Sequence, residues 1–363
     1  MTGIDHDKFM RRALDLAANG EGLTRPNPPV GAVIVKNGRI IAEGWHKKAG
    51  TAHAERVALA NAGSKAKGAT LYVTLEPCCT HGRTPPCTDA IIAAGIKTVV
   101  AASTDPNPKH AGRGFAVLKK NGIKVIHGIC KTEGDEMIAP FAKWITKGMP
   151  LVTLKLGMSL DGKISDRNMN SKWITGPKSR ERVQAMRRKV DAIMVGAGTV
   201  KADNPQLQPR PANGRKPWRV IVDANGQIPA KSRVLTDSFA DRTLIAGSKR
   251  IAGKSAAQMI RIPRRNPLKH LLGELGKMGI MHVLCEGGGE LAASLVAEQC
   301  VDCFAFFVAP VIIGGRESTS SVGGPGWLMD GLPHVVFTGM ERVGNDILIL
   351  ARPEILRQSS PLE

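Results

Sequence analysis

The first part of the chain alternates helical and strand-like patterns of apolar positions. Apolar side chains recur every three to four residues over 5–19, which predicts an amphipathic helix ending at Gly20. Apolar runs over 31–35 and 39–45 flank Asn37-Gly38 and predict a β-hairpin. Further strands are predicted over 70–75, 97–102 and 124–129, and helices over 88–94, 114–120 and 133–146. This alternation predicts a three-layer α/β domain on a mixed sheet.

The second part of the chain continues the alternation after an interruption. Lys147-Gly148-Met149-Pro150 breaks the helical pattern and precedes an apolar strand over 151–156, which predicts two domains, 1–147 and 148–363. Further strands are predicted over 191–196, 219–223, 243–246 and 282–286, and helices over 179–189 and 267–278. Two late strands, over 302–309 and 346–351, are expected to add an antiparallel edge to a doubly wound sheet.

Composition narrows the class of protein. The 363 residues suffice for two cores, and seven cysteines without an N-terminal apolar segment or a bilayer-length apolar run predict a reducing, cytoplasmic location. The formal charge of +20 suits nucleic acid, a membrane surface or phosphorylated small molecules. Because one Tyr and eight Phe offer few stacking surfaces and the basic residues are scattered, we expect small phosphorylated substrates, with neither nucleic acid nor membrane as partner. A homo-oligomer is also expected.

The candidate chemistry of the first domain lies in two short segments. These are His53-Ala54-Glu55 and Glu76-Pro77-Cys78-Cys79-Thr80-His81-Gly82-Arg83-Thr84-Pro85-Pro86-Cys87. A single His-x-Glu on a helix is usually solvated surface, and a single Cys is usually a small core residue. An imidazole and two thiolates, however, are the ligands of a catalytic zinc with an open fourth position, beside which a Glu that is not a ligand can move protons. The order of these residues favours a zinc site with His53, Cys78 and Cys87 as ligands.

Two alternatives concern the metal itself. Cys79 competes with Cys78, although adjacent residues rarely both reach one metal and the position after Pro favours Cys78. A structural zinc in a non-catalytic protein is the second alternative, but such a site would require a fourth protein ligand.

Asn27 in a proline-rich loop, His46 after the hairpin and the two ligand segments resemble the cytidine-deaminase-like superfamily. The long loop between the two thiols is similar to the deaminase half of the bifunctional RibD family of riboflavin biosynthesis. The resemblance implies one Zn²⁺ per chain, Glu55 as the proton shuttle, and Asn27, His46, His81 and Arg83 as the residues that hold a pyrimidine and its phosphoribosyl group. A tRNA-editing deaminase with an accessory domain is the alternative that the +20 charge suggests.

Two strand ends in the second domain are rich in small residues. One spans 196–205, and the other is Cys285-Glu286-Gly287-Gly288-Gly289-Glu290. Glycines at the start of a helix let backbone N–H groups approach an anion, so either segment could bind a phosphate. Hydride chemistry would additionally need a cation or proton donor beside the reacting carbon, a role that Lys155 could fill. The spacing of these residues does not distinguish NADPH from NADH.

These segments resemble the reductase half of the same family, which has a dihydrofolate-reductase-like fold and uses NADPH. The resemblance implies that Lys155 lies beside the reacting ribose carbon as the catalytic residue. It implies a substrate site formed by Ser171, Arg187, Leu207, Arg210 and Glu286. It implies a cofactor site formed by Gly157, Trp173, Thr199, Asp203, Ala224, Gly288, Gly289, Glu290 and Leu291.

The resemblance as a whole implies a bifunctional enzyme of riboflavin biosynthesis. Its first activity is the zinc-dependent hydrolytic deamination of 2,5-diamino-6-(5-phosphoribosylamino)pyrimidin-4(3H)-one. Its second is the NADPH-dependent reduction of the ribosyl side chain, which gives 5-amino-6-(5-phosphoribitylamino)uracil. The expected fold class is α/β, with an N-terminal cytidine-deaminase-like three-layer domain and a C-terminal dihydrofolate-reductase-like doubly wound domain.

Overall fold

Two compact units, Met1–Gly148 and Met149–Glu363, make up the chain in a computed structural model. The structure describes residues 5–81, 85–211, 216–249 and 255–354. Within these ranges each unit is built on one sheet, of five strands in the first unit and nine in the second.

The described residues of the first unit form five strands and five α-helices. The strands are β1 (Gly31–Lys36), β2 (Arg39–Trp45), β3 (Thr70–Leu75), β4 (Thr98–Ser103) and β5 (Lys124–His127). The helices are α1 (His6–Ala18), α2 (Ala54–Ala62), α3 (Cys87–Ala93), α4 (Arg113–Lys120) and α5 (Lys131–Lys147). The sheet order is β2-β1-β3-β4-β5, with β1 antiparallel to both of its neighbours and the other pairs parallel.

Helices cover both faces of this first sheet. Val33 and Tyr72 point to the face that packs against α1, with Met137 of α5 on the same side. Ile34 follows Val33 on β1, and Leu71 precedes Tyr72 on β3. Both point to the opposite face, which α2, α3 and α4 cover. Successive side chains of a strand face opposite ways, so these nearly continuous apolar runs fill two cores. The three-layer prediction is confirmed.

Local signals in the sequence account for the element boundaries in this unit. The Asp5 side chain accepts a hydrogen bond from the Lys8 backbone N–H and thereby caps α1. Asn37 and Gly38 have φ of 50° and 73°, the positive values that a type I′ hairpin turn requires. The predicted hairpin is therefore confirmed.

Nine strands and five α-helices are found in the described part of the second unit. The strands are β6 (Leu151–Ser159), β7 (Ala192–Gly196), β8 (Trp218–Val222), β9 (Thr243–Gly247), β10 (Gln258–Arg261), β11 (His282–Cys285), β12 (Cys303–Ala309), β13 (Val335–Val343) and β14 (Asp346–Pro353). The helices are α6 (Pro177–Lys189), α7 (Ala197–Asp203), α8 (Arg233–Thr236), α9 (Pro267–Lys277) and α10 (Gly289–Ala297).

The second sheet is mostly parallel. Its order is β10-β9-β8-β7-β11-β6-β12-β14-β13, and the strands from β10 to β12 in that order run parallel. The antiparallel edge is confirmed for β14, but the prediction was wrong for 302–309, because β12 pairs parallel with β6. The strand that completes the edge is β13, which was not predicted. Its side chains are largely exposed, and apolar and polar residues do not alternate strictly along it.

Helices cover both faces of the parallel part of this sheet. Leu271 of α9 and Leu295 of α10 pack with Val152 and Leu154 of β6. On the opposite face, Val234 of α8 packs against the sheet. Because the parallel strands point the same way, the loops after β6, β7, β8 and β11 meet at one edge, where ligands bind in such sheets. No helix among the described residues combines the length and the hydropathy needed to cross a bilayer.

Candidate active sites

Three side chains that could ligate a metal converge in the first unit. His53 immediately precedes α2, Cys78 follows β3, and Cys87 is the first residue of α3. The His53 Nδ1 atom lies 3.3 Å from the Cys87 sulfur and 3.6 Å from the Cys78 sulfur. All three ligand atoms lie within 4.8 Å of one another. One nitrogen and two sulfurs around a common point fit a zinc ion that keeps a position open for solvent or substrate.

The two thiols of this cluster influence each other's protonation. The Cys87 thiol donates a hydrogen bond to the Cys78 sulfur, which lowers the pKa of Cys78 to about 4. The same hydrogen bond, together with burial, raises the pKa of Cys87. The backbone N–H of Cys87 also donates to the Cys78 sulfur, at 3.3 Å. A thiolate that is already stabilised beside an imidazole is the donor that zinc requires, which supports the fit of this site to the metal.

Glu55 lies beside the ligand cluster without belonging to it. Its side chain is buried in the first turn of α2 and is 4% exposed. The carboxyl is within hydrogen-bonding reach of the Cys87 thiol, and burial raises its pKa above the ordinary value for glutamate. A buried carboxyl next to an open metal position can exchange protons with a reacting molecule.

Cys79 lies outside the cluster. Its side chain is partly exposed, burial raises its pKa, and the group of three close ligand atoms contains Cys78 instead. The geometry therefore supports Cys78 as the ligand of the adjacent pair.

Asn27 and His46 form a polar pair beside His53. Asn27 Nδ2 lies 3.1 Å from His46 Nε2, and His46 Nδ1 lies 3.1 Å from the carbonyl oxygen of Ala52. These contacts fit a neutral imidazole that accepts at Nε2 and donates from Nδ1, and burial lowers the pKa of His46 accordingly. The ring centroids of His46 and His53 are 5.2 Å apart, so the pair adjoins the metal ligands. His81 is exposed, and Arg83 lies outside the described residues.

In the second unit, Lys155 and Gly157 lie two residues apart on β6 and therefore on the same face of the sheet. A Cβ atom on Gly157 would lie 3.2 Å from Thr175 Cγ2 and 3.8 Å from Lys155 Nζ. The Lys155 ammonium also lies 5.8 Å from the centre of the Phe307 ring. Burial lowers the pKa of Lys155, and the nearby Glu286 carboxylate opposes this shift. Glycine at position 157 thus keeps open the space in front of the ammonium group.

Arg187 and Glu286 form an ion pair next to Lys155. The Arg187 Nε and Nη2 atoms donate to the two oxygens of Glu286 at 2.6 and 2.8 Å. Arg187 Nη1 donates to the carbonyl oxygen of Gln208 at 3.1 Å, which ties the pair to the loop that carries Leu207. Leu207 is buried, whereas Arg210 is exposed. Three of the five predicted substrate residues therefore lie along one connected set of contacts.

Ser171 and Trp173 lie on the segment that precedes α6. The Ser171 hydroxyl donates to Asp203 at 3.2 Å, and Lys172 Nζ lies 3.0 Å from the same carboxylate oxygen. Trp173 is 67% exposed, and the guanidinium of Arg180 stacks on its ring at 4.5 Å. A predicted substrate residue, Ser171, and a predicted cofactor residue, Asp203, are thus in direct contact.

Backbone geometry at the start of α10 fits a nucleotide cofactor. A Cβ atom on Gly288 would lie 3.4 Å from Thr199 Oγ1, and one on Gly289 would lie 2.5 Å from the Ser320 carbonyl oxygen. The N-cap residue of α10 is Gly288, which has no capping side chain, and the first N–H groups of such a helix can bind a phosphate. The Glu290 carboxylate accepts a hydrogen bond from the Gly324 N–H, so Glu290 would contribute its backbone to such a site.

The remaining predicted cofactor residues occupy two different environments. The Leu291 side chain is buried in the core, so it too would meet a cofactor through its backbone. Ala224 is exposed after β8, and its carbonyl oxygen accepts a hydrogen bond from the Ser248 hydroxyl at 2.9 Å.

Several residues in these sites were not singled out from the sequence. Thr175 faces Gly157, Arg180 stacks on Trp173, and Gln208 accepts from Arg187 through its backbone. The contact of Arg180 with Trp173 is local, since the two residues are seven positions apart in the sequence. Thr175 and Gln208 reach their partners through tertiary contacts that a linear pattern does not encode.

Family models match both halves of the chain. Residues 4–103 match the cytidine and deoxycytidylate deaminase zinc-binding region, and residues 150–349 match the RibD C-terminal domain. A riboflavin biosynthesis protein RibD of Actinobacillus pleuropneumoniae is 41% identical over 359 residues, covering 96% of this chain and 95% of its own length. The chain belongs to the RibD family. The resemblance that the sequence suggested is therefore confirmed.

Further RibD relatives extend over nearly the whole chain. The Escherichia coli K12 protein is 39% identical and covers 95% of this chain and 99% of itself. The solved structure of Acinetobacter baumannii RibD, form 1, has a TM-score of 0.87 at 37% identity and covers 97% of this chain and 100% of its own. A deaminase/reductase structure from Thermotoga maritima has a TM-score of 0.86 at 39% identity, with 96% and 98% covered.

These matches also settle the fold class. The N-terminal unit is cytidine-deaminase-like and contains the zinc-binding region, and the C-terminal unit has the fold of the RibD reductase domain. Because RibD relatives match both halves in one chain, the alternative of a tRNA-editing deaminase with an unrelated accessory domain is wrong.

Proposed function

We propose that this chain is a bifunctional enzyme of riboflavin biosynthesis, with a deaminase in residues 1–147 and a reductase in residues 148–363. The first reaction hydrolyses the 2-amino group of 2,5-diamino-6-(5-phosphoribosylamino)pyrimidin-4(3H)-one and releases ammonia. The second reduces the ribosyl unit of the product to ribityl with NADPH. The observation that carries the proposal is the convergence of His53, Cys78 and Cys87 beside a buried Glu55, on a chain whose relatives combine both activities.

In the deaminase, three side chains would hold the metal and three others would handle the substrate. A zinc ion on His53, Cys78 and Cys87 would lower the pKa of a water molecule and so supply a nucleophile at neutral pH. Glu55 would take a proton from that nucleophile and deliver it to the departing amino nitrogen. Asn27 and His46 would hydrogen-bond the pyrimidine, and the buried ring of His46 would help keep bulk water out of the exchange.

Two further residues would bind the phosphoribosyl group of the deaminase substrate. Arg83 is suited to a phosphate because its guanidinium can donate two parallel hydrogen bonds. The exposed ring of His81 could donate to a ribose hydroxyl or to the phosphate.

In the reductase, the chain would position two bound molecules against each other. NADPH would supply the hydride. Lys155 would place its ammonium beside the ribosyl carbon that accepts it, with Glu286 near enough to influence its charge. Ser171, Arg187, Leu207, Arg210 and Glu286 would hold the phosphorylated substrate. The cofactor would contact Gly157, Trp173, Thr199, Asp203, Ala224, Gly288, Gly289, Glu290 and Leu291.

The proposal is tested by following both reactions in one cuvette. The purified chain is incubated with the diaminopyrimidine substrate, with and without NADPH, while ammonia and the absorbance of NADPH are recorded. Ammonia is expected in both samples, and NADPH oxidation is expected to begin only as deaminated product accumulates. Absence of ammonia release by zinc-loaded protein would contradict the deaminase assignment.

We include a homo-oligomer and a cytoplasmic location in the proposal. Phe337 and Met340 of the edge strand β13 are 67% and 68% exposed, and Leu328 and Met329 of the preceding segment are 80% and 84% exposed. An exposed apolar edge strand is a template for pairing, so a second copy of the chain is its proposed partner. All seven cysteines are free, as a reducing compartment would allow.

A further inference from the structure

The carboxylate of Glu76 is buried directly before the ligand segment Pro77-Cys78. Its side chain is 4% exposed, and four backbone N–H groups donate to it. Oε2 accepts from Asp105 at 3.1 Å and from Gly112 at 2.9 Å. Oε1 accepts from Gly114 at 2.8 Å and from Phe115 at 3.4 Å. All four donors belong to the loop after β4 and to the start of α4.

These hydrogen bonds hold the start of α4 against the backbone that carries Cys78. The N–H of Glu76 donates to the Ser103 carbonyl oxygen at 2.9 Å, which fixes the same residue to the end of β4. Gly114 packs so closely that a Cβ atom there would overlap the Pro77 carbonyl oxygen. Glu76 and Pro77 are therefore clamped from the side chain and from the backbone, one residue before a metal ligand.

A carboxylate at position 76 suits the N–H groups at the start of α4. The first N–H groups of a helix lack intrahelical partners and carry partial positive charge, so an anion accepting from them is stabilised. The N-cap residue of α4 is Gly112, which has no side chain that could accept from these N–H groups. Glu76, the first residue after β3, thereby couples the start of α4 to the orientation of the residues that follow it.

We infer that Glu76 is a positioning residue that sets the place of the Cys78 sulfur relative to His53 and Cys87. The inference rests on the proposed zinc ligands. Cys78 lies in a loop. Among the described residues, the Thr88 N–H donates to its carbonyl oxygen at 3.2 Å and the Cys87 N–H donates to its sulfur at 3.3 Å, both from the side of α3. The clamp at Glu76 and Pro77 supplies the restraint on the β3 side. Loss of that restraint widens the range of sulfur positions and weakens the metal site.

Two substitutions test the inference from opposite sides of the clamp. Glu76→Gln replaces one accepting oxygen by an NH₂ group that faces backbone donors. Gly114→Ala keeps the carboxylate group but adds a Cβ atom that would overlap the Pro77 carbonyl oxygen and lie 3.1 Å from Glu76 Oε1, so it displaces the clamp without changing its charge. Both are expected to lower zinc affinity by about 10-fold or more, measured by competition with a chromogenic chelator. Both are also expected to change the visible absorption bands of the cobalt(II)-substituted protein, which report ligand geometry.

A variant of the same unit separates positioning from general loss of stability. A Cβ atom on Gly31 of β1 would overlap the Ala13 carbonyl oxygen of α1. This contact lies on the face of the sheet that α1 covers, opposite the face that α2, α3 and α4 cover. Gly31→Ala is expected to lower the unfolding midpoint while keeping the wild-type zinc affinity and cobalt spectrum.

The outcomes distinguish the inference from the proposed function. If wild-type protein binds no zinc, the proposed ligand set fails. If wild type binds zinc and both Glu76→Gln and Gly114→Ala bind it equally tightly with an unchanged cobalt spectrum, Glu76 only caps α4 and the inference is overturned. Should Glu76→Gln not fold, the affinity and spectrum of Gly114→Ala decide by the same criterion.

Discussion

Arg187 of α6 and Glu286, which follows β11, form a two-point ion pair across 99 residues of chain, with N–O distances of 2.6 and 2.8 Å. Their side chains are only 14% and 10% exposed. Because the guanidinium also donates to the Gln208 carbonyl oxygen, the three segments around the predicted substrate site are joined through this one side chain. Arg187 thus has a role in holding the reductase site together before any phosphate binds.

Removal of one partner of this pair is expected to be costly. Glu286→Ala would leave a largely buried guanidinium without its counter-charge, a change that typically costs about 3–5 kcal/mol of unfolding free energy. The exposed pair Arg182–Glu341, at 53% and 48% exposure, is the matched control in the same unit. Glu341→Ala should cost less than about 1 kcal/mol. Urea unfolding checks both values, and equal losses for the two variants would contradict the importance of burial here.

The reductase activity is expected to fall at alkaline pH. Burial lowers the pKa of Lys155 from its ordinary value of 10.5, so the ammonium form exists below the lowered pKa and is lost as pH rises through it. If the ammonium is the active form, NADPH oxidation follows the same curve. Lys155→Arg remains protonated at higher pH and should move the alkaline limb upward by about one unit or more. An alkaline limb at the same pH in both proteins would exclude Lys155 as its cause.

Serine variants of Cys78, Cys79 and Cys87 are expected to differ in the amount of zinc that they bind. Cys78→Ser and Cys87→Ser are expected to lose the bound zinc and with it ammonia release, because each removes one of three ligands. Cys79→Ser is the control and should retain both. All three should still oxidise NADPH when supplied with the deaminated substrate. Metal analysis by mass spectrometry checks the first expectation, and zinc loss in Cys79→Ser alone would reverse the ligand assignment.

The edge strand β13 is expected to mediate self-association. Phe337→Glu and Met340→Glu place charges on its exposed face and should convert the oligomer to a monomer. Met278→Glu, at a 41% exposed position after α9 in the same unit, is the control and should keep the wild-type mass. Sedimentation equilibrium measures the masses. A monomeric wild type, or charged variants of unchanged mass, would contradict the assignment of this surface.

Much of the fold could be predicted because periodicity was strong where strands and helices bury one face. The Asn37-Gly38 turn and the apolar runs of β1, β3 and β6 lie where the pattern placed them. β13 escaped prediction because pairing with β14, rather than burial, makes it a strand. The direction of β12 could not be read from the sequence either, since parallel and antiparallel partners leave the same local pattern.

In the candidate sites, too, features carried by local sequence could be predicted, whereas those that depend on tertiary contacts could not. His53, Cys78 and Cys87 could be singled out as candidate metal ligands because few other arrangements explain their chemistry, and the structure brings their ligand atoms within 4.8 Å of one another. The pairing of Arg187 with Glu286, the packing of Thr175 over Gly157 and the clamp at Glu76 arise only when distant segments meet. Glu76 was part of the recognised motif, yet its role depends on α4, which begins 37 residues later at Arg113.

The most direct test of the whole account uses a chain in which only the deaminase is silenced. Glu55→Ala removes the proposed proton shuttle and should reduce ammonia release by about 10²- to 10⁴-fold while zinc remains bound. With the diaminopyrimidine substrate this variant is expected to oxidise almost no NADPH, and addition of 5-amino-6-(5-phosphoribosylamino)uracil should restore oxidation to the wild-type rate. Ammonia release at the wild-type rate, or NADPH oxidation that does not respond to the deaminated compound, would contradict it.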